Sequence, residues 1–354
     1  MQEVGMPRKI RAGGRWIGDG EPCFVIAEAG SNHDASLELA FRLIETAAAS
    51  GADAVKFQLF RSAKLYTKNA GMSDYLKVAK PINEIIESME MPYDWLPRLV
   101  ARCKESNILF LASVFDEESA DQIEPYVEAF KIASYELTHI PLLRHVARKG
   151  KPVILSTGTA DIHEVREAVE EIYKTGNQSL ALMQCTAAYP APIDSLNVRA
   201  IPAMKGEFGC PVGLSDHSRD PLAGPMAAVA VGANLLEKHF TLSNRLPGPD
   251  HPFAVEPDEL EAMVSMMRKI ESALGDGNKV PHGVELELRR FARRSIFALR
   301  DIRAGEEFTL GNVAVLRCGK AEPNLAPKYI DEILGRKAKR ALVGGDCIRK
   351  EDYA

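Results

Sequence analysis

The chain has 354 residues, 46% of them hydrophobic and 26% charged, with a formal net charge of -5 at pH 7. Such a make-up belongs to a globular protein larger than one ordinary core. No run approaches the roughly 18 apolar residues that span a bilayer, and no Lys/Arg block interleaved with aromatics points to nucleic acid.

Residues 1–20 read as a polar, Gly-rich leader carrying Arg8, Lys9, Arg11 and Arg15. The leader lacks the apolar core and small-residue cleavage site of a signal peptide, so a cytoplasmic protein is expected. The six cysteines (Cys23, Cys103, Cys185, Cys210, Cys318 and Cys347) include no CxxC pair, which suits buried thiols in a reducing compartment.

Cys23-Phe24-Val25-Ile26-Ala27 is a β-prone run that ends at Glu28, followed by the loop Gly30-Ser31-Asn32-His33. Helical periodicity then runs through Leu37, Ala40, Leu43, Ile44 and Ala47 and stops at Gly51. This βα unit recurs, with strand-like runs near 53–59, 108–113, 128–134, 152–156, 179–184, 211–215 and 233–240. Eight such strands predict a closed parallel (β/α)8 barrel over 21–276, an α/β fold. The long interruption at 60–92, with Tyr66, Lys68, Asn69, Met72, Tyr75 and Lys80, is either a substrate lid or a helical decoration that packs. After a helix from Pro257 to about Leu274, Gly275-Asp276-Gly277-Asn278 breaks the pattern, and 277–294 reads as a charged linker with a solvated face. Short β-like pieces at Ile296–Leu299 and Val313–Leu316, with turns at Gly305 and Gly344-Gly345, predict a small separate β-rich domain over 295–354.

In a barrel, polar residues alternating with apolar ones point inward or to the mouth. Lys56 and Gln58 therefore share one face, and a buried lysine is costly unless it meets an anion. Lys131, Ser134 and Glu136 follow on the fourth strand, which must bend or end between Lys131 and Ser134 for both to face the site. Ser113, Ser156 and Ser215 end the third, fifth and seventh strands. Any one of these serines alone is usually just a helix cap. Their recurrence on one rim with two lysines describes a site for a phosphate-bearing ligand. His217 and His239 close adjacent strands, where they either meet at one metal ion or serve as hydrogen-bonded structural residues. Glu237 shares the inward face with His239, and either orients a metal-bound water or packs.

The ordered segments Ile26–His33, Val55–Gln58, Phe130–Ser134, Leu155–Gly158, Cys185–Pro190, Gly213–His217, Glu237–Thr241 and Gly248–His251 cover nearly the whole barrel. With them the chain resembles the N-acetylneuraminate (sialic acid) synthase family, among the nonulosonate synthases that condense phosphoenolpyruvate with a hexosamine-derived aldose. The segment 295–354 resembles the antifreeze-like (SAF) domain these synthases carry. The resemblance implies a divalent ion, usually Mn2+ with Mg2+ or Co2+ as substitutes, on His217 and His239. It implies phosphoenolpyruvate on Lys56, Lys131, Ser134, Ser156 and Ser215, with Gln58 and Ser113 nearby. Glu28, Glu136, Tyr189 and Asp250 would meet the sugar, and Arg317 would reach the other subunit's site in a domain-swapped homodimer. Catalytic roles fall to Glu28, Lys56, Glu136 and Glu237.

Three departures bear on the sugar, which could be N-acetylmannosamine, its phosphate, or a 2,4-diacetamido-trideoxyhexose leading to pseudaminic or legionaminic acid. Ala187 stands where sialic acid synthases commonly have Ser or Asn, and Tyr135 stands where many have Gly. Arg317-Cys318-Gly319 replaces the usual Arg-Pro-Gly. Two other readings compete: a metal-independent aldolase with Lys56 or Lys131 as Schiff-base lysine, and a non-catalytic glycan-binding scaffold.

Overall fold

The computed structural model describes residues 9–72 and 80–353. It divides into two compact units, Met1–Gly275 and Asp276–Ala354. In the first, β1 (Ile10–Ala12) and β2 (Arg15–Ile17) form a small antiparallel hairpin. Eight strands follow: β3 (Phe24–Gly30), β4 (Ala54–Leu59), β5 (Leu109–Val114), β6 (Phe130–Ile132), β7 (Val153–Ser156), β8 (Leu180–Cys185), β9 (Val212–Asp216) and β10 (Leu235–His239). All pair in parallel with their neighbours, and β10 closes on β3. Every strand falls on a run where the sequence predicts one, and the (β/α)8 barrel is the observed fold.

Two cores follow from the two-residue period of the strands. Outward side chains such as Val25, Val55, Phe57, Ala112 and Leu214 join the helices in one large apolar cluster. That cluster takes Ala40, Leu43, Ile44 and Ala47 from the helix Leu37–Ala49, whose Ser36 cap accepts a hydrogen bond from Leu39 N–H at 3.3 Å. Inward side chains change character along each strand. Phe24, Ile26, Ala54, Leu111, Ile154, Met183 and Leu235 make an apolar floor, and Glu28, Lys56, Ser113, Lys131, Ser156, Ser215 and Glu237 lie buried above it.

The stretch 1–20, read as a polar leader, contains a structural element. Ile10, Ala12 and Ile17 of the β1–β2 hairpin are buried against the floor and plug that end of the barrel. Arg15 adds an ion pair to Asp53, which also takes Arg268 at 3.1 Å.

The interruption at 60–92 carries short helices at Ser62–Leu65 and Ile82–Ser88. Tyr75 lies outside the described residues. Among the described residues no helix is long and apolar enough to cross a membrane. All six cysteines are free thiols.

The second unit opens with a 3-10 turn at Gly283–Glu285 and a helix at Leu286–Ala292. Val284, Leu286, Leu288 and Phe291 are exposed there, so the stretch read as a solvated linker lies in solvent and contains a short helix with exposed apolar residues. It continues into β11 (Arg294–Ala298), antiparallel to β12 (Val313–Arg317), around a core that includes Ile296, Phe308, Val313, Ile333 and Ile348.

Candidate active site

Strand register assembles the site from residues far apart in sequence. His239 lies opposite Glu28, Glu28 opposite Lys56, and Glu237 opposite Ser215. The side chains on this ring make one buried polar network. Lys56 Nζ stands 2.9 Å from Glu28 Oε2 and 3.6 Å from Glu237 Oε1, and donates to Ser113 Oγ at 2.8 Å. Lys131 Nζ donates to Ser156 Oγ at 2.7 Å and to the Ile132 carbonyl at 3.2 Å, and stands 3.8 Å from Glu237 Oε2. Ser215 donates to Glu237 Oε1 at 3.1 Å, and Gln58 Nε2 to Glu28 Oε1 at 2.9 Å.

Burial works against every charge in this network, and the neighbours decide which side wins. For Lys56 burial is outweighed by Glu237 and Glu28, which hold its pKa above the ordinary lysine value. Burial prevails at Lys131, whose pKa is lowered although Glu237 opposes it. It also prevails at Glu28, raised despite Lys56. At Glu237 burial is overcome by Lys131 and Lys56, and the carboxylate is favoured. Two lysines and two carboxylates leave this tetrad formally neutral.

β6 ends at Ile132, and a 3-10 turn at Ser134–Glu136 brings Ser134 to the rim. There its Oγ accepts from Gly158 N–H at 3.0 Å. Glu136 is buried, its Oε2 has no hydrogen-bond partner, and burial raises its pKa to about 7.

The rings of His217 and His239 lie 5.2 Å apart between centroids. His217 Nδ1 donates to the Thr186 carbonyl at 3.0 Å and lies 3.5 Å from Cys185 Sγ. In the neutral ring this fixes Nε2 as the lone-pair nitrogen, the form a metal ligand requires. His239 Nδ1 is buried without a hydrogen-bond partner, 3.8 Å from Asp250 Oδ2. Among the described residues no three His, Cys, Asp or Glu side chains converge as a metal cage. The two imidazoles nevertheless fit a divalent ion that keeps positions for water and substrate. Tyr189 packs on His217 at 4.3 Å between centroids, and Phe253 on His239 at 5.1 Å.

A cavity of about 420 Å³ is lined by Gln58, His239, Asp250 and Tyr189, and by an apolar side of Phe60, Ile82, Ile86, Met89 and Tyr135. The structure thus gathers Glu28, Lys56, Gln58, Ser113, Lys131, Ser134, Glu136, Ser156, Tyr189, Ser215, His217, Glu237, His239 and Asp250 at one barrel mouth. Arg317 is in the second unit, exposed at the end of β12.

The sequence reading missed two neighbours of the site. One is Cys185 against His217. The other is Lys238, whose buried Nζ pairs with Asp216 Oδ2 at 2.7 Å and donates to the Ser218 and Asp220 carbonyls at 2.5 and 2.9 Å. Lys238 and Asp216 each sit one residue from a histidine, on the outward face of adjacent strands; that spacing was the available signal.

The family model described as the NeuB family matches residues 43–279, and the SAF domain model matches 293–354. The chain is 44% identical over 333 residues to the spore coat polysaccharide biosynthesis protein SpsE of Bacillus subtilis, covering 89% of each chain. It is 38% identical to the N,N'-diacetyllegionaminic acid synthase of Legionella pneumophila, covering 98% of each. Among solved structures, the N-acetylneuraminic acid synthetase of Leptospira borgpetersenii, in complex with citrate, superposes with a TM-score of 0.73 at 35% identity, over 80% of this chain and 96% of that one.

Proposed function

The chain belongs to the NeuB family, and from that premise we propose that it condenses phosphoenolpyruvate with the open-chain form of an N-acetylated hexosamine-type aldose, giving a sialic-acid-like nonulosonate and inorganic phosphate. C3 of phosphoenolpyruvate forms the new bond to the aldehyde carbon, and the aldehyde oxygen takes a proton to become a hydroxyl. Water adds at C2, and the C2 oxygen leaves with its phosphate.

The observation that carries this reading is the buried tetrad of Lys56, Lys131, Glu28 and Glu237 beside two imidazoles. Lys56 and Lys131, with Ser113, Ser134, Ser156 and Ser215, bind the phosphate and carboxylate of phosphoenolpyruvate. Glu237 holds both ammonium groups in place through its two oxygens. Glu28, Gln58, Glu136, Tyr189 and Asp250 orient the aldose, and Glu136, protonated in part at neutral pH, can supply a proton to the aldehyde oxygen. His217 and His239 would hold a divalent ion, Mn2+ by preference, which when bound would add positive charge beside the formally neutral tetrad and act as a Lewis acid toward the aldehyde oxygen. Arg317 completes the site of a second subunit in a swapped homodimer.

A second sugar reading has its own support. Among the described residues lining the 420 Å³ cavity there is no lysine or arginine, and its apolar side suits a deoxy carbon. This suits an uncharged aldose, including a 2,4-diacetamido-trideoxyhexose, although Lys80 and Arg219 line the adjoining cavity of about 780 Å³. Lys56 stands 2.9 Å from Glu28 and its pKa is held above the ordinary lysine value by Glu237 and Glu28, which favours its ammonium over the free amine of a Schiff-base aldolase.

The test is phosphate release from phosphoenolpyruvate with Mn2+, comparing N-acetylmannosamine, its 6-phosphate and the diacetamido sugars, each repeated with excess chelator. Release with an uncharged aldose that stops on chelation is expected. Absence of release with every sugar from folded protein would sink the reading.

A further inference from the structure

The segment Gly248-Pro249-Asp250-His251 gives the site Asp250, but its histidine has no part in the chemistry above. His251 is fully buried. Its Nε2 faces both carboxylate oxygens of Asp34, at 3.2 and 3.1 Å, and its Nδ1 is hydrogen-bonded to Thr241 Oγ1 at 2.6 Å. Asp34 lies in the loop after β3, and Thr241 and His251 in the loop after β10. Asn32 Nδ2 ties the same two loops by donating to the Phe240 carbonyl at 2.8 Å. A Cβ on Gly248 would stand 2.7 Å from Asp34 Oδ1 and 2.9 Å from His251 Cδ2, so only glycine lets the chain cross over this pair.

Asp250 and Phe253, which flank His251-Pro252, face the reacting centre. Asp250 Oδ2 stands 3.8 Å from His239 Nδ1, and the Phe253 ring lies against His239. We infer that Asp34, His251 and Thr241 form a clamp between the loops after β3 and β10 that sets Asp250 and Phe253 against His239, making Asp34 and His251 positioning residues for the aldose. The clamp also borders a cavity of about 780 Å³, lined by Asp34, Gly248, Tyr189 and Phe253, which adjoins the smaller one through Ser31, Tyr189 and Pro249. The lysines proposed for phosphoenolpyruvate stand on β4 and β6, outside the clamped loops. Loosening the clamp therefore displaces the aldose contacts and leaves the anion contacts in place.

This inference rests on the proposed condensation, and the experiment separates the two. Asp34 has φ +44°, so Asp34→Gly removes the carboxylate without backbone strain. Gly248→Ala keeps all three clamp groups but forces them apart. Both variants should raise the KM for the aldose by about 10- to 100-fold, the usual cost of a displacement on the order of 1 Å, with the KM for phosphoenolpyruvate held within about twofold. Asp34→Asn keeps an acceptor oxygen for Nε2–H and should recover most of the loss. A fall in kcat with both KM values unchanged would mean only fewer folded molecules, and unaltered kinetics would mean no clamp; either overturns the inference. An inactive wild-type protein would overturn the condensation instead.

Discussion

Glu136 sits in a buried position with one carboxyl oxygen unpartnered, and burial lifts its pKa from 4.5 to about 7 against the pull of Lys131. Below about pH 4.5 the carboxyl is protonated in both folded and unfolded chains and costs nothing. Between the two pKa values the unfolded chain releases its proton while the folded one holds it, so stability falls as pH rises, by about 3 kcal/mol in all, and levels off above about 7. Glu136→Gln escapes this penalty. Its melting temperature relative to wild type should therefore climb between pH 4.5 and 7; a difference that does not move with pH would place the carboxyl in water. The presence of Lys56, Gln58 and Glu237 on one inward face was legible, because alternation alone fixes it. The contact of Cys185 with His217 was not, since it depends on the stagger that puts Cys185 of β8 opposite Ser215 of β9.

At the scale of elements, the eight strands were legible because period and terminators agree along each unit. The hairpin of β1 and β2 was not. Three apolar residues among glycines and arginines show no period of their own, and their partners are side chains of the barrel floor, supplied by strands from the whole length of the barrel. That dependence makes the hairpin a plug. Ile17 is fully buried in the apolar cluster that holds Phe24, Ile26 and Leu111, so Ile17→Ala should cost about 2–5 kcal/mol, as large-to-small core changes do. Urea or thermal unfolding of the variant measures it, and a loss well under about 1 kcal/mol would mean that the hairpin only rests on the barrel. Because the floor lies beneath the charged layer, steady-state KM values for the folded fraction should stay near those of wild type.

At the scale of the whole molecule, the mouth of the barrel holds two buried lysines, two imidazoles and buried carboxylates, while Arg317 lies on a separate unit whose sequence carries the SAF pattern. Strand alternation cannot assign Arg317 to any site, since β12 belongs to a different sheet; its proposed role rests on likeness to the family. Subunit mixing tests that role. In a swapped dimer, each site combines one chain's barrel with the other chain's Arg317. A heterodimer of Lys131→Ala with Arg317→Ala then has one site bearing both lesions and one bearing neither. Purified through two different tags, it should recover about half the wild-type rate per dimer, although each parent homodimer is impaired. If Arg317 instead serves its own barrel, both sites of the heterodimer carry one lesion and no recovery occurs. A parent Arg317→Ala protein with full activity would remove the arginine from the site altogether, leaving aldose recognition to the barrel mouth.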